Sequence, residues 1–121
     1  MGKKILIVDD NEQDRKIIQR FLDRSGYKDI FTAPTGEEGV KTAKAKKPDL
    51  VILDTVLPGI DGFEVCRRIR EALGKTTPKI IIMTGSIDAV DAVKARTMGA
   101  DDYCVKTSDY KPLLDAVKRL V

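Results

Sequence analysis

The segment Lys4–Asp10, with the sequence KILIVDD, is an apolar run that ends abruptly at two acidic residues. Three later runs also end at a polar residue: Leu50–Leu53 at Asp54, Ile80–Met83 at Thr84, and Tyr103–Val105 at Lys106. Continuous apolar runs of this length are typical of parallel strands that helices cover on both faces. The carboxyl ends of neighbouring parallel strands meet at one sheet edge, where open α/β folds bind ligands. The sequence therefore predicts an edge site for a divalent cation and a phosphoryl group.

Strand and helix patterns alternate along the whole chain, with no low-complexity segment and no linker rich in Pro, Gly or Ser. The strands are predicted at residues 4–8, 29–33, 49–53, 79–83 and 102–105. The helices are predicted at residues 12–24, 36–46, 62–73, 88–98 and 110–121, the last capped by Asp109. Five βα units with right-handed crossovers predict an α/β fold, a doubly wound sandwich, as one domain over residues 1–121.

The charge pattern and the absence of histidine exclude or disfavour several classes of function. The 22 basic and 19 acidic residues are spread along the chain, which gives little support to nucleic-acid binding. The densest basic stretch, Lys41 to Lys47, is interpreted as the solvated end of a helix. With no His in the chain, histidine triads, histidine metal ligands and a phosphohistidine of its own are excluded, so any phosphohistidine must come from a partner.

Other features of the composition predict a soluble, cytoplasmic protein. No run approaches the roughly 20 apolar residues that cross a bilayer, so no membrane association is expected. Cys66 and Cys104 are far apart and form no CxxC motif, so they are interpreted as reduced packing thiols.

Four stretches together resemble the receiver domain of two-component response regulators, the CheY-like family. They are KILIVDD, PDLVILDTVLPGIDGFEVCRRIR, KIIIMTG and GADDYCVK, and the similarity runs from Lys3 to the C-terminus. The resemblance implies a flavodoxin-like (βα)5 fold whose five-stranded parallel sheet has the order 2-1-3-4-5, for which CheY is itself a standard example.

The resemblance implies that Asp54 is the phosphoacceptor, assisted by Lys106 and Thr84. Three crowded carboxylates repel one another unless a cation compensates them, and Mg2+ or Mn2+ would do so. The expected ligands are the carboxylates of Asp10 and Asp54, the backbone carbonyl of Val56, and water, with Asp9 acting through that water. Gly59 and Gly62 are interpreted as shaping the loop after Asp54.

In the family pattern, Thr84 moves toward the new phosphate and vacates space for the aromatic residue at Tyr103. This movement biases the surface of the fourth helix, fifth strand and fifth helix between two arrangements. Thr84 and Tyr103 are therefore the expected switch residues.

Two departures from the family pattern matter. Thr107 follows Lys106 where relatives usually have a proline, often after a cis peptide bond, so the local geometry and the reach of the lysine are left open. Val56 stands where relatives often place a polar side chain that holds the attacking water. With Ser86 near Thr84, this predicts slow self-dephosphorylation.

The sequence thus predicts a signalling switch that takes phosphate from a sensor histidine kinase or histidine phosphotransfer protein and catalyses only its own phosphorylation and dephosphorylation. A downstream protein or fused output domain would read a monomer or a phosphorylation-dependent dimer. One alternative is a receiver-fold protein-interaction module that is phosphorylated weakly or not at all, because Thr107 and not proline follows Lys106. Another is a phosphatase of the haloacid-dehalogenase type, but Asp54-Thr55-Val56 lacks its second carboxylate.

Overall fold

Among the residues that the structure describes, ten strands and helices alternate along the chain. The structure is a computed structural model that describes residues 2–85 and 89–121, apart from the side chains of residues 89 and 90. The strands are β1 (Lys4–Val8), β2 (Asp29–Ala33), β3 (Leu50–Asp54), β4 (Lys79–Thr84) and β5 (Asp102–Val105). The helices are α1 (Glu12–Arg24), α2 (Gly36–Lys46), α3 (Gly62–Leu73), α4 (Ala89–Thr97) and α5 (Lys111–Leu120).

The five strands form one parallel sheet in the order β2-β1-β3-β4-β5, which confirms the predicted fold and strand order. Every residue of β3 is buried, as expected for a central strand with helices on both faces. Alternate residues of β1 point to opposite faces: Leu6 and Val8 join a core with α2 and α3, and Ile5 and Ile7 join a core with α1 and α5.

Side-chain caps fix the starts of three helices. Asn11, Thr35 and Asp61 each accept a hydrogen bond from a main-chain N–H three residues later, at 2.9 to 3.1 Å. Two of these caps, Asn11 and Asp61, lie in the loops that follow β1 and β3. Local sequence therefore fixes where the chain turns away from the sheet edge that carries the predicted site.

Several predicted boundaries differ from the observed ones by a residue. Strands β3 and β4 extend to Asp54 and Thr84, because Thr55 N–H donates to Met83 O at 3.0 Å and Lys106 N–H donates to Thr84 O at 2.8 Å, which continues each ladder. Helix α4 ends at Thr97 rather than 98, and its predicted first residue, 88, lies outside the described residues.

The start of α5 corrects the predicted cap. Tyr110, not Asp109, is the N-cap; it has a left-handed φ of 53° and makes no side-chain cap bond. The Asp109 carboxylate still accepts from the N–H of Lys111 at 3.0 Å and from the Thr107 hydroxyl at 2.9 Å. Asp109 therefore satisfies the first helical N–H from one position further out.

The interpretations of the thiols and lysines agree with the structure. Cys66 and Cys104 are buried and free, and burial raises their pKa to about 11 and about 12, so both stay protonated at neutral pH. The predicted basic stretch of Lys41, Lys44, Lys46 and Lys47 is exposed to solvent. Among the described residues, no helix is long and apolar enough to cross a membrane.

Arg70 joins three segments at the sheet edge opposite the predicted site. Its side chain is 8% exposed and pairs with Asp101 at 2.9 Å. It also donates to the main-chain oxygens of Gly99 at 2.8 Å and Pro78 at 2.5 Å. The guanidinium therefore ties α3 to the turns before β4 and β5.

We expect Arg70→Ala to lower the free energy of unfolding by about 3 kcal/mol, because it leaves Asp101 and two carbonyl oxygens without this donor. Urea denaturation measures the loss. Arg67→Ala on the same helix is the control, since its ion pairs are exposed to solvent and contribute little to stability. Equal losses in the two variants would contradict the structural role of Arg70.

Candidate functional site

Three carboxylates meet at the carboxyl edge of the sheet. Asp9 and Asp10 follow β1, and Asp54 is the last residue of the neighbouring strand β3. One carboxylate oxygen from each lies within 4.8 Å of the other two. Asp10 is exposed, whereas Asp9 and Asp54 are buried. The predicted acidic cluster is thus assembled with one side open to solvent, an arrangement that can hold a hydrated divalent cation.

Asp9 is the most enclosed of the three carboxylates, with no exposed surface. Burial raises the pKa of Asp9 above its ordinary value, and the nearby charge of Asp54 acts in the same direction. The main-chain N–H of Asn11 and the ammonium of Lys106 partly offset this rise. Ionising this group inside the protein is therefore unfavourable, and an added cation would relieve it.

Lys106, the residue that follows β5, places its ammonium among carboxylates. Its Nζ lies 2.9 Å from Asp9 Oδ2, 3.1 Å from Asp54 Oδ2 and 3.1 Å from Asp14 Oδ2. Burial alone lowers the pKa of Lys106, but the hydrogen bonds and charges of Asp9 and Asp54 outweigh it and hold that pKa above its usual range. The ammonium is therefore permanently charged beside Asp54.

The backbone after Lys106 shows how the chain accommodates Thr107 in the place of the usual proline. The cis peptide bond among the described residues is Thr77–Pro78, so the Lys106–Thr107 peptide is trans. The chain then reaches α5 through the left-handed Tyr110. Lys106 still contacts Asp54, so the loss of the usual proline does not withdraw the lysine from the site. The alternative of a module disabled by Thr107 therefore finds no support.

The predicted switch residues lie on β4 and β5, the two strands on one side of β3. Thr84 ends β4, is 8% exposed, and accepts the main-chain N–H of Lys106. Tyr103 lies near the start of the edge strand β5, is half-buried against the core, and pairs with Ile82 in the sheet register. Its hydroxyl is buried and has no hydrogen-bond partner among the described residues. The predicted companion Ser86 lies outside those residues.

The loop after Asp54 explains two glycines. A Cβ atom at Gly62 would lie 2.1 Å from the main-chain oxygen of Asp54, so only glycine lets α3 begin this close to the strand end. Gly59 has a φ of 78°, which favours glycine. The N–H of Val56 donates to Asp54 Oδ1 at 3.3 Å, and the Val56 side chain is 75% exposed at the mouth of the site.

Asp14 is the site residue that the sequence interpretation missed. It lies in the first turn of α1 and supplies the third carboxylate on Lys106. Its place three residues after the Asn11 cap, in the turn of α1 that begins at this edge of the sheet, was the available signal. Which residue that face would contact depends on how α1 packs against the β5–α5 loop, and no local pattern encodes this.

Comparison with known proteins finds relatives that match this chain over nearly its whole length. The family described as response regulator receiver domain matches residues 5–118. The chain is 41% identical over 121 residues to the alkaline phosphatase synthesis transcriptional regulatory protein PhoP of Bacillus subtilis. It is 42% identical over 117 residues to the transcriptional regulatory protein AfsQ1 of Streptomyces coelicolor. These matches cover 100% and 97% of this chain but 49% and 50% of the relatives, so the chain spans about half of their length.

A solved structure shares the fold in detail. It is that of the response regulator protein TrrA from Thermotoga maritima, in complex with Mg2+ and BeF, with a TM-score of 0.87 and 38% identity. The alignment covers 98% of this chain and 99% of that one. The similarity therefore includes all five βα units.

Proposed function

The chain belongs to the response regulator receiver domain family, and on that premise we propose that Asp54 accepts a phosphoryl group and makes the protein a phosphorylation-dependent signalling switch. One observation carries the proposal: the Asp54 carboxylate shares the acidic cluster at the sheet edge and lies 3.1 Å from a charged lysine. A carboxylate nucleophile beside a fixed positive charge, in a cluster that can also bind a cation, is what phosphoryl transfer needs.

The acidic cluster fits Mg2+, because hard divalent cations prefer carboxylate, carbonyl and water oxygens. The carboxylates of Asp10 and Asp54 and the backbone carbonyl of Val56 would hold the ion, with Asp9 acting through water. The crowding of the buried carboxylates of Asp9 and Asp54 beside the exposed carboxylate of Asp10 supports this assignment. The ion would neutralise charge on the transferring phosphoryl group when bound.

The transfer itself needs little from the protein beyond placement. An Asp54 carboxylate oxygen forms a bond to phosphorus while the bond from phosphorus to the donor breaks, and the donor group leaves with that electron pair. Lys106 stabilises the negative charge on the phosphoryl oxygens throughout. The product is an aspartyl phosphate. No separate substrate is turned over, so the chain modifies itself rather than acting as an enzyme on others.

Incubation of the purified protein with acetyl phosphate and Mg2+ tests the proposal. Intact-mass measurement should show the gain of one phosphoryl group, and chelation of the metal should prevent it. Acetyl phosphate replaces the phosphohistidine donor, so the test needs no partner. A protein that gains no mass under these conditions would contradict the proposed function. Steady release of phosphate from many ester substrates would instead favour a phosphatase.

Two kinds of partner are proposed: a donor of the phosphoryl group and a reader of the phosphorylated state. Membership of the family implies a phosphohistidine donor, and because the chain has no histidine of its own, a histidine kinase or a histidine phosphotransfer protein would supply the phosphoryl group. The reader of the phosphorylated state is a downstream protein or an output domain, in keeping with relatives twice as long as the matched region. A monomer or a phosphorylation-dependent dimer, a cytoplasmic location and one receiver domain over residues 1–121 complete the proposal.

Thr84 and Tyr103 are the proposed readout of phosphorylation. A phosphoryl group on Asp54 brings about two negative charges and new hydrogen-bond acceptors, which attract the Thr84 hydroxyl. The buried Tyr103 hydroxyl lacks a partner among the described residues, so the inward position of the ring carries a penalty that a solvent-facing position would avoid. Two ring positions close in free energy are what a small local change can bias.

We expect the Tyr103 ring resonances to shift when Asp54 is phosphorylated or when Mg2+ and beryllium fluoride are added. The shift should be much smaller in Thr84→Ala, because the hydroxyl that follows the phosphate is absent. NMR of the tyrosine rings measures both, and the Tyr27 ring, beyond the far end of α1, is the internal control. A phosphorylated protein with an unmoved Tyr103 ring would contradict the role of this residue.

Val56 is expected to make the aspartyl phosphate long-lived. Its exposed side chain stands at the mouth of the site and has no group that could orient an attacking water. Val56→Asn should therefore speed hydrolysis roughly tenfold or more, because an amide can hold and direct that water. Decay of the phosphorylated mass after removal of donor measures the rate. Val56→Ala is the apolar control, and an asparagine variant no faster than wild type would contradict the explanation.

A further inference from the structure

The Lys106 ammonium has three N–H donors, and three carboxylates surround it. Two of them, Asp9 and Asp54, belong to the acidic cluster that would hold the metal and the phosphoryl group. The third, Asp14, lies on α1, outside that cluster, with its Oδ2 atom 3.1 Å from Nζ. No other role of Asp14 is required by the phosphoryl-transfer chemistry, so its contact with the lysine needs its own explanation.

Asp14 stands on a rigid part of the fold. Its main-chain N–H donates to the Asn11 cap at 2.9 Å, which fixes the first turn of α1. Its side chain is 31% exposed, so water only partly screens its charge. Tyr110 lies close by, is 6% exposed, and packs against Phe21 of α1 with ring centroids 6.1 Å apart. Burial and the charge of Asp14 both raise the pKa of Tyr110, in keeping with their proximity.

The three contacts of Lys106 differ in whether the reaction changes the group that accepts them. When Asp54 becomes an aspartyl phosphate, the Lys106 N–H that donated to the Asp54 carboxylate would donate to a phosphoryl oxygen instead. The contact with Asp14 takes part in none of the bond changes and can persist through them. The lysine is then held at its base by the bond from its N–H to Thr84 O, at 2.8 Å, and at its tip by Asp14.

We propose that Asp14 is a positioning residue that holds the Lys106 ammonium in place while Asp54 passes from carboxylate to acyl phosphate. Restraint by Asp14 is important because the lysine side chain is long and flexible and otherwise samples many rotamers. It matters more here because Thr107, without a proline ring, leaves the backbone after Lys106 less restricted. The inference rests on the proposed function of Asp54 and deepens it.

Two measurements test the proposal, and the first needs no phosphate. NMR detection of lysine ammonium groups should show a slowly exchanging Lys106 signal in the wild-type protein. The signal should weaken or vanish in Asp14→Asn and return in Asp14→Glu, which keeps the charge. Glu12→Gln is the matched control, because it removes a charge from the same helical turn without touching Lys106. A Lys106 signal equally strong in Asp14→Asn would overturn the proposal.

The second measurement is the rate of phosphate uptake from acetyl phosphate. Asp14→Asn should slow uptake roughly tenfold, as expected when a reacting group is misplaced, and Asp14→Glu should restore most of the rate. In a Lys106→Met background, Asp14→Asn should change the rate by less than about twofold, since the residue that it positions is gone. An equal slowing in that background, or faster uptake in Asp14→Asn alone, would overturn the proposal.

The two failures are distinguishable. A wild-type protein that takes up no phosphate contradicts the function of Asp54, and with it any positioning role in that reaction. A wild-type protein that takes up phosphate while Asp14→Asn does so at the same rate contradicts only the role of Asp14.

Discussion

Replacing Asp54 with alanine is expected to abolish the uptake of phosphate from acetyl phosphate while the protein stays folded. The alanine variant lacks the oxygen that attacks phosphorus, and no positioning by Lys106 or a metal ion can replace a missing nucleophile. Intact mass after incubation with acetyl phosphate and Mg2+ measures the loss directly.

The Asp54→Asn variant tests the loss of the nucleophile without a change in the shape of the site. The amide fills the same space and can still accept a hydrogen bond from the Lys106 ammonium, but it carries no charge and is a poor nucleophile. It should also show no uptake. Asp115→Ala is the control, because Asp115 is an exposed carboxylate paired with Lys111 at the surface, and its loss should leave uptake unchanged. Uptake by Asp54→Ala at the wild-type rate would move the acceptor to another residue.

The Asp54 variants should stay folded, because the charged groups next to Asp54 keep other partners. Lys106 keeps its contacts with Asp9 and Asp14, so no buried cation is left unpaired. Asp9 loses a neighbouring negative charge that raises its pKa, which makes the ionised form of Asp9 easier to hold in the protein. Urea denaturation without metal should therefore find Asp54→Ala about as stable as wild type, or more stable.

The strands and the functional edge of the sheet could be predicted because the signals are local and repeated, whereas the strand order was implied only by the resemblance to a known family. Each apolar run is long enough to fill a covered strand and stops at a polar residue, so the run and its end identify both the strand and the functional edge. Helix starts were predictable for the same reason, since Asn11 and Asp61 cap their helices through a bond only three residues away.

Features that depend on packing between distant segments could not be predicted. The left-handed Tyr110 at the start of α5 reflects the path from Lys106 and the packing of its ring on Phe21, about 90 residues earlier in the chain. The contact from Asp14 to Lys106 depends in the same way on how α1 lies against the β5–α5 loop. The sequence supplied both partners of each contact but not their distance.

Lys106→Met is expected to slow phosphate uptake by about 100-fold or more, because the variant keeps the aliphatic chain but removes the charge that stabilises the phosphoryl oxygens. Rates of mass gain under saturating Mg2+ measure the effect. Lys111→Met is the matched control, since it removes a charge from an exposed pair a few residues away. Uptake by Lys106→Met close to the wild-type rate would contradict the role of the lysine.

The same variant should also be less stable, and the loss should depend on metal. Without Mg2+, Lys106→Met leaves the fully buried Asp9 without its ammonium partner, which is expected to lower the free energy of unfolding by about 3 kcal/mol. A divalent cation at the acidic cluster replaces the missing positive charge and stabilises the folded state by binding to it. Urea denaturation with and without Mg2+ should show most of the loss recovered by the ion.

The pH dependence of that loss has a definite sign. Burial raises the pKa of Asp9 in the folded protein, so the contribution of this group to stability is greatest below its unfolded pKa of about 3.9 and is lost as the pH rises through the folded value. Removing Lys106 takes away the charge that opposes this rise, so the deficit of Lys106→Met should be large at neutral pH and should shrink as the pH falls toward 4 and Asp9 of the folded protein becomes protonated. A deficit that stays constant from neutral pH to pH 4, with or without Mg2+, would mean that lost packing and not an unpaired carboxylate destabilises the variant.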